Sequence, residues 1–235
     1  MMLEINNLTA GYGPVTVLHQ VSIGLTEGEI VCIIGPNGAG KSTVLRAAAG
    51  QLESLTGKII FRGEDVINQS IEEKGRKGLI FIPQGNNIFP NLTVIENLEI
   101  AGSILRDSER MYNGIKRVLE KFPMINEKKR RPSRELSGGQ RQILALSRIL
   151  ILGPRLVLLD EPSLGLAPLI VDIVFKEIQE MNRKGVSFLL VEQNARKGLS
   201  ISHRGYVLEL GKNRLTGTGE ELLNNSEVQR LYLGG

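Results

Sequence analysis

The spacing of hydrophobic and polar positions changes several times along the chain, and each change predicts a different element. Near the start the two alternate: Leu3, Ile5 and Leu8, then Val15, Val17, Val21 and Ile23 are apolar. Alternation of period two marks a half-buried strand, so this stretch reads as short antiparallel strands around the turn Gly11-Tyr12-Gly13-Pro14. Ile30–Ile34 is a continuous apolar run, as expected of a strand covered on both faces. A glycine-rich loop follows, then Ser42–Ala49, built of helix formers and stopped by Gly50. Lys58–Phe61 and Leu79–Ile82 read as further strands.

From about Asn86 to Gly153 the pattern turns helical. Thr93-Val94-Ile95-Glu96 fits a capping box, with the Thr93 hydroxyl at the N-cap and Glu96 three residues on. Ser137-Gly138-Gly139-Gln140 fits a second, opening a helix with Ile143, Leu146 and Leu150 on one face and Gly153-Pro154 at its end. Leu156–Leu159 returns to buried strand, Pro168 suits the first turn of a helix running to Gly185, and Val186–Val191 is another buried strand. Tyr206–Leu210, the turn Gly211-Lys212-Asn213 and the residues after it read as a hairpin. The fold class is therefore α/β, one domain over 1–235. Its core and β-subdomain occupy 1–85 and 154–235, and a helical subdomain over 86–153 interrupts them.

Composition narrows this only slightly. Of the 235 residues 41% are hydrophobic and 23% charged, which excludes a disordered chain. The net charge is +4 and the basic residues are scattered, so nucleic acid is not an expected partner. The run Lys128-Lys129-Arg130-Arg131 has no interleaved aromatics and reads as a solvated loop. A lone cysteine, Cys32, lies inside an apolar strand and reads as a small core residue, so no disulfide framework is expected. No apolar run approaches the roughly 20 residues that span a bilayer. The opening Met1-Met2-Leu3-Glu4-Ile5 lacks the layout of a signal peptide. The expected location is cytoplasmic, with any membrane contact made through a partner.

Candidate chemistry begins at Gly35-Pro36-Asn37-Gly38-Ala39-Gly40-Lys41-Ser42, a full match to G-x-x-x-x-G-K-[ST] between a predicted strand and a predicted helix. Glycines let the backbone wrap with its N–H groups turned inward on phosphate oxygens, and the helix N-terminus adds positive potential. Lys41 reaches the β- and γ-phosphates, and the Ser42 hydroxyl is offered to Mg²⁺. Leu156–Leu159 then delivers Asp160 and Glu161 at the C-terminal edge of a strand, where ligands of open α/β sheets sit. Asp160 suits Mg²⁺, and Glu161 suits the base that orients and deprotonates water.

Leu136-Ser137-Gly138-Gly139-Gln140 reads L-S-G-G-Q, a string expected by accident in on the order of one chain in several thousand. Ser137 caps a helix whose free N–H groups can face a phosphate, and the chain already has one phosphate cradle, so a second nucleotide is implied. On these residues the chain resembles the ATP-binding subunits of ABC transporters, over essentially its whole length. The resemblance implies a P-loop NTPase core with a mainly parallel sheet, an N-terminal antiparallel β-subdomain and an inserted helical subdomain. It implies ATP and Mg²⁺ as cofactors and a head-to-tail pair of subunits, with each Ser137–Gln140 signature closing on the ATP held by the other. The nucleotide-binding run extends through Thr43. Tyr12 matches the aromatic that stacks on adenine, its alternative being an exposed turn tyrosine. Gln84 matches the glutamine that senses Mg²⁺ and water and contacts the transmembrane partner. The stretch from Phe89 to Leu98 also looks like the family.

Two departures stand out. Leu164-Gly165-Leu166-Ala167 occupies the place of the family's usual Ser-Ala-Leu-Asp, so the aspartate is missing. The strand after Asp160-Glu161 ends in Glu192-Gln193-Asn194, with Gln193 where most of the family has histidine; the two histidines, His19 and His203, lie elsewhere. Gln193 is expected to contact the γ-phosphate through its amide NH₂, the alternative being that it only opens a surface helix. Glu192 is the poorer candidate, because a carboxylate repels phosphate. Glu161-Pro162-Ser163-Leu164-Gly165-Leu166-Ala167-Pro168, Val191–Asn194 and Tyr232-Leu233-Gly234-Gly235 are similar to the LivF-type ATPases of branched-chain amino-acid importers. Urea and short-chain amide importers have close relatives of these. That resemblance implies a second, different ATPase, two membrane subunits and an extracytoplasmic binding protein. A soluble ABC ATPase and a regulatory module that binds without turnover are the rivals. Two cassettes or coiled-coil inserts, expected of the first, are absent; Glu161 argues against the second.

Overall fold

The computed structural model describes all residues except Ser54, Asn86, Asn87, Arg106, Gly234 and Gly235. The expected start of the helical subdomain at Asn86 and the Gly234-Gly235 end of the LivF-like match lie outside the described residues.

Among the described residues ten strands fall into two sheets. In the first, β1 (Leu3–Tyr12), β2 (Val15–Leu25), β4 (Leu55–Phe61) and the short β5 (Glu64–Asp65) pair antiparallel in the order β2-β1-β4-β5. The second contains β3 (Ile30–Ile34), β6 (Leu79–Ile82), β7 (Leu156–Asp160), β8 (Ser187–Val191), β9 (Arg204–Glu209) and β10 (Lys212–Thr218), in the order β10-β9-β3-β8-β7-β6. All its pairings are parallel except β9 with β10. Every residue of β3, β7 and β8 is buried, as continuous apolar runs require of strands covered on both faces.

The helices are α1 (Lys41–Ala49), α2 (Ile71–Arg76), α3 (Val94–Gly102), α4 (Ser108–Lys121), α5 (Pro123–Asn126), α6 (Gly138–Leu152), α7 (Pro168–Arg183), α8 (Ala195–Ser200), α9 (Gly219–Asn224) and α10 (Ser226–Tyr232). Three apolar clusters form among the described residues. Val31 and Ile33 of β3 pack with Val44 and Leu45 of α1 beneath the antiparallel sheet. Ile30, Cys32 and Ile34 point the other way, onto Phe175 and Ile178 of α7 and Leu199 of α8, so the period-two alternation of one strand separates two cores. Burial pushes the Cys32 thiol up, with the charge of Glu192 adding to it. The third cluster joins Val94 and Leu98 of α3, Ile115 and Val118 of α4, and Ile143 and Leu144 of α6. Lys121 of α4 ties that helical cluster back to α7 through Glu177 and Glu180, both at 2.7 Å. Among the described residues no helix is long and apolar enough to cross a membrane.

Several expectations about element ends are corrected. Gly11 and Tyr12 are not turn residues: Tyr12 pairs with Val15, leaving only Gly13-Pro14 to close the hairpin. The later hairpin turns at Leu210-Gly211 rather than Gly211–Asn213, because Lys212 already pairs with Glu209 and Asn213 with Leu208. Leu210 (φ 47°) and Gly211 (φ 73°) both lie in the left-handed region, the backbone that a two-residue hairpin turn of the primed type demands. Helices α2, α9 and α10 have no counterpart in the reading by periodicity, since six or seven residues are too few for an apolar stripe to repeat. Yet Ser70 with Glu73 and Thr218 with Glu221 form the same reciprocal capping box as Thr93 with Glu96 and Ser137 with Gln140. The capping signal was there to be read at all four.

Candidate functional site

Register brings the candidate residues to one edge. Asp160, the last residue of β7, sits opposite Val191 of β8, and Val191 opposite Ile33 of β3. The segments leaving these strands, Gly35–Ser42, Glu161–Ala167 and Glu192–Asn194, therefore emerge side by side at the C-terminal edge.

The Gly35–Ser42 loop joins β3 to α1, with its crest at Pro36, Asn37 and Gly38 exposed. Gly35 has φ +149°, and a Cβ there would stand 2.1 Å from the carbonyl oxygen of Leu208 in β9, so no other residue fits. Lys41 is buried, its Nζ donating to the carbonyls of Gly35 at 2.9 Å and Pro36 at 3.0 Å. Burial pulls its pKa down, while the charges of Glu161 and Asp160 oppose that. The next residue, Ser42, donates through Oγ to Asp160 Oδ1 at 2.9 Å, closing a contact between residues 118 apart in sequence. Thr43 is buried in the first turn of α1, and its Oγ1 lies 3.5 Å from the Tyr12 hydroxyl. Tyr12 is half exposed, so its ring stands beside the loop at the end of β1.

Asp160 is buried, and its Oδ2 has no hydrogen-bond partner among the described residues. Burial pushes its carboxyl up, and the Ser42 hydroxyl pulls it back. A buried, unsatisfied carboxylate oxygen beside a hydroxyl is a donor set suited to a hard cation. Among the described residues no three His, Cys, Asp or Glu side chains cluster, so Mg²⁺ held here by Ser42 and Asp160 would draw its other oxygens from phosphate and water. Glu161 follows with φ 44°, a left-handed backbone rare outside glycine, and its N–H donates to Val191 O at 2.8 Å. Its carboxyl is also pushed up, first by burial and then by Asp160, with Lys41 opposing. Gln84, exposed beyond β6, donates through Nε2 to Glu161 Oε2 at 3.1 Å.

Gln193 is also exposed; its N–H donates to Glu192 Oε1, and Asn194 rather than Gln193 caps α8. In the other departing segment Ala167 takes the N-cap place of α7 without a side-chain cap, and Leu164 stands exposed nearby.

The signature residues are not part of this edge. Among the described residues no hydrogen bond joins Ser137–Gln140 to Gly35–Ser42. Ser137 N-caps α6: its Oγ accepts from Gln140 N at 3.3 Å, and Ser137 N donates to Gln140 Oε1 at 3.0 Å. Lys128 of the basic run donates to the same Gln140 oxygen. The two glycines differ. Nothing lies within 4 Å of a Cβ at Gly138, whereas one at Gly139 would meet the Ile170 side chain of α7 at 2.8 Å. Gly139 thus serves packing, and only Gly138 leaves the helix terminus bare.

One feature went unread in the sequence. Ile71, Phe89, Ile100 and Ile104 are exposed apolar side chains around a groove of about 450 Å³ between the core and the helical cluster, with Arg148 and Pro83 in its wall. Phe89 is placed by Asn97, which accepts from its N–H at 2.7 Å and donates to its carbonyl at 3.0 Å.

The ABC transporter family profile matches residues 18–164. The high-affinity branched-chain amino acid transport ATP-binding protein BraG of Pseudomonas aeruginosa is 41% identical over 234 residues, covering 100% of both chains. The "Probable branched-chain amino acid transport ATP-binding protein LivF" of Archaeoglobus fulgidus is 34% identical, covering 99% of both. The lipopolysaccharide export system ATP-binding protein LptB of Haemophilus influenzae is 33% identical, covering 99% of this chain and 97% of its own. Among solved structures, an ABC-transporter ATP-binding cassette in its ADP conformation superposes with a TM-score of 0.87 at 29% identity, covering 100% of this chain and 99% of its own.

Proposed function

The chain belongs to the ATP-binding subunits of ABC transporters and is an ATPase, and from that premise we propose that it drives import of branched-chain amino acids from the cytoplasmic face of a cell membrane. The observation that carries the choice of solute is its end-to-end similarity to two ATP-binding proteins of branched-chain amino acid transport.

In this reading the N–H groups of Gly35–Ser42 and the Lys41 ammonium hold the β- and γ-phosphates, and Tyr12 stacks on the adenine. Mg²⁺, when bound, offsets phosphate charge, with Ser42, Asp160 and Gln84 around it. Glu161 takes the proton of the attacking water, and Gln84 keeps that carboxylate in place through the bond from its Nε2. The bare N-terminus of α6 at Ser137–Gly138 makes no hydrogen bond to Gly35–Ser42 among the described residues, which fits closure on nucleotide held by a second, paralogous subunit. ABC subunits work with membrane permease components. The groove around Phe89, beside Gln84, has the apolar rim suited to a segment of such a subunit. Two membrane subunits and an extracytoplasmic binding protein complete the assembly.

Gln193 emerges one strand from Asp160 and is read as the γ-phosphate contact. Losing one hydrogen bond to a charged group should slow hydrolysis about tenfold in Gln193→Ala, while Gln193→His keeps much of the rate. Normal turnover by Gln193→Ala removes the assignment.

The function itself is tested by purifying the chain with its membrane subunits and rebuilding them in vesicles. ATP-dependent uptake of leucine, isoleucine and valine is expected. Uptake of urea or amides instead moves the assignment to those importers, and extraction of a lipid-linked saccharide moves it to export. Failure to co-purify any membrane subunit would sink it.

A further inference from the structure

Glu192 stands at the nucleotide edge without a part in the reaction as described. It is 1% exposed, directly follows β8, and its backbone N–H points to Ile33 O of β3 at 3.5 Å. A buried carboxylate is costly unless it is well hydrogen-bonded, so the bonds it makes show what it holds. Its Oε1 accepts three: from Ser163 Oγ at 2.6 Å, Gln193 N at 3.0 Å and Asn194 N at 3.1 Å. Ser163 lies in the segment running from Glu161 to α7, and Gln193 and Asn194 form the turn into α8. Segments leaving two neighbouring strands are therefore anchored on one oxygen.

A purely structural cap does not account for this. The N-terminus of α8 is already capped by Asn194, whose Oδ1 accepts from Lys197 N at 3.0 Å, and the Ser163 bond contributes nothing to that helix. Nor is Glu192 half of an ion pair among the described residues. Lys197, on the same cleft of about 500 Å³ as Ser163 and Gln193, gives its ammonium to Asp172 at 2.5 Å. Burial pushes the Glu192 carboxyl up, and the Ser163, Asn194 and Gln193 donors pull it back. Close packing holds its stem: a Cβ at Gly198 would stand 3.1 Å from Glu192 Cβ.

We propose that Glu192 is a positioning residue that locks the Ser163 segment and the Gln193 turn to each other, so that both take up their places around the attacking water and γ-phosphate as one unit. The proposal rests on the ATPase reading of the Asp160–Glu161 edge. It does not require the Gln193 side chain itself to touch phosphate, because the lock acts through the Gln193 backbone and the Ser163 hydroxyl.

The test is steady-state ATP hydrolysis by the full chain assembled with its partner subunits, comparing kcat and the KM for ATP. Misplacing reacting groups by fractions of an ångström should cost Glu192→Ala about tenfold to hundredfold in kcat, with KM within about twofold because the Gly35–Ser42 cradle is untouched. Glu192→Gln should recover to within about threefold of wild type, since its amide oxygen accepts the same donors. Ser163→Ala should slow kcat at an unchanged thermal melt, and the double variant Ser163→Ala/Glu192→Ala should be no slower than Glu192→Ala alone. Wild-type kcat in Glu192→Ala, additive effects in the double variant, or no recovery in Glu192→Gln each overturns the proposal. If Glu192→Ala does not fold, Ser163→Ala decides: unchanged kcat there overturns the lock. A wild-type chain that turns over no ATP is a separate result, and it removes the ATPase premise before any variant is read.

Discussion

Lys41→Ala is expected to lose ATP turnover almost completely while remaining folded. Lys41 places its ammonium against the Gly35 and Pro36 carbonyls, at the mouth of a loop whose backbone N–H groups are the phosphate donors in the proposed reading. Burial pulls the Lys41 pKa down while Glu161 and Asp160 oppose that, and in the proposed reading its ammonium meets the β- and γ-oxygens from a partly desolvated position. Removing one such stabilising group from a transition state typically costs about 10²–10³ in rate, and here loss of binding adds to that. The structural cost is smaller. Two backbone carbonyls lose a donor, about 1–3 kcal/mol if they stay dry, and a solvated loop crest lets water replace it. ATPase rate and thermal melting on the same preparation check the expectation. A folded variant that hydrolyses ATP as fast as wild type would refute the role of Lys41.

Glu161→Gln should bind ATP and fail to release it, with turnover reduced by the ~10²–10⁴ that a positioned general base supplies. Amide and carboxylate have the same shape. The bond from Gln84 Nε2 at 3.1 Å can be kept by the amide oxygen, and the left-handed backbone at φ 44° tolerates glutamine as it does glutamate. The binding free energy is therefore retained while the proton has nowhere to go. If, as proposed, ATP binding closes a pair of subunits and hydrolysis opens it, the closed pair then accumulates. Size-exclusion chromatography with Mg-ATP and the partner subunit reads this as a stable dimer holding unhydrolysed nucleotide. A monomeric variant with rapid turnover would exclude Glu161 as the base.

Much of the candidate site was legible because its signals are local. The loop 35–42 carries its own context of strand before and helix after, although the carbonyl that leaves room only for glycine at 35 comes from Leu208 in β9. Asp160 and Glu161 follow from an apolar strand ending in two carboxylates. The boxes at Thr93 and Ser137 depend on four consecutive residues each, and both formed as expected. The equivalent boxes at Ser70 and Thr218 were equally local but cap helices too short to show periodicity, so hydrophobic pattern alone passed over them.

The sequence by itself determined the α/β class, the strand that carries the phosphate loop, the identity of the candidate acid and base groups, and the family. Each rests on bonds or spacings within a few residues, where chain connectivity leaves little freedom. Tertiary structure alone decided which side chains meet across long separations. Ser42 reaches Asp160 over 118 residues, and Ser163 reaches Glu192 over 29. It also decided that Gly139 is small to admit Ile170 and that Ile71, Phe89, Ile100 and Ile104 form one exposed groove. Glu192, poor as a phosphate contact on charge alone, turns inward, where donors from two separate segments meet its Oε1 and its Oε2 has no partner among the described residues. Burial of a polar group is set by whichever partners the whole fold brings within about 3 Å, and no local spacing encodes that.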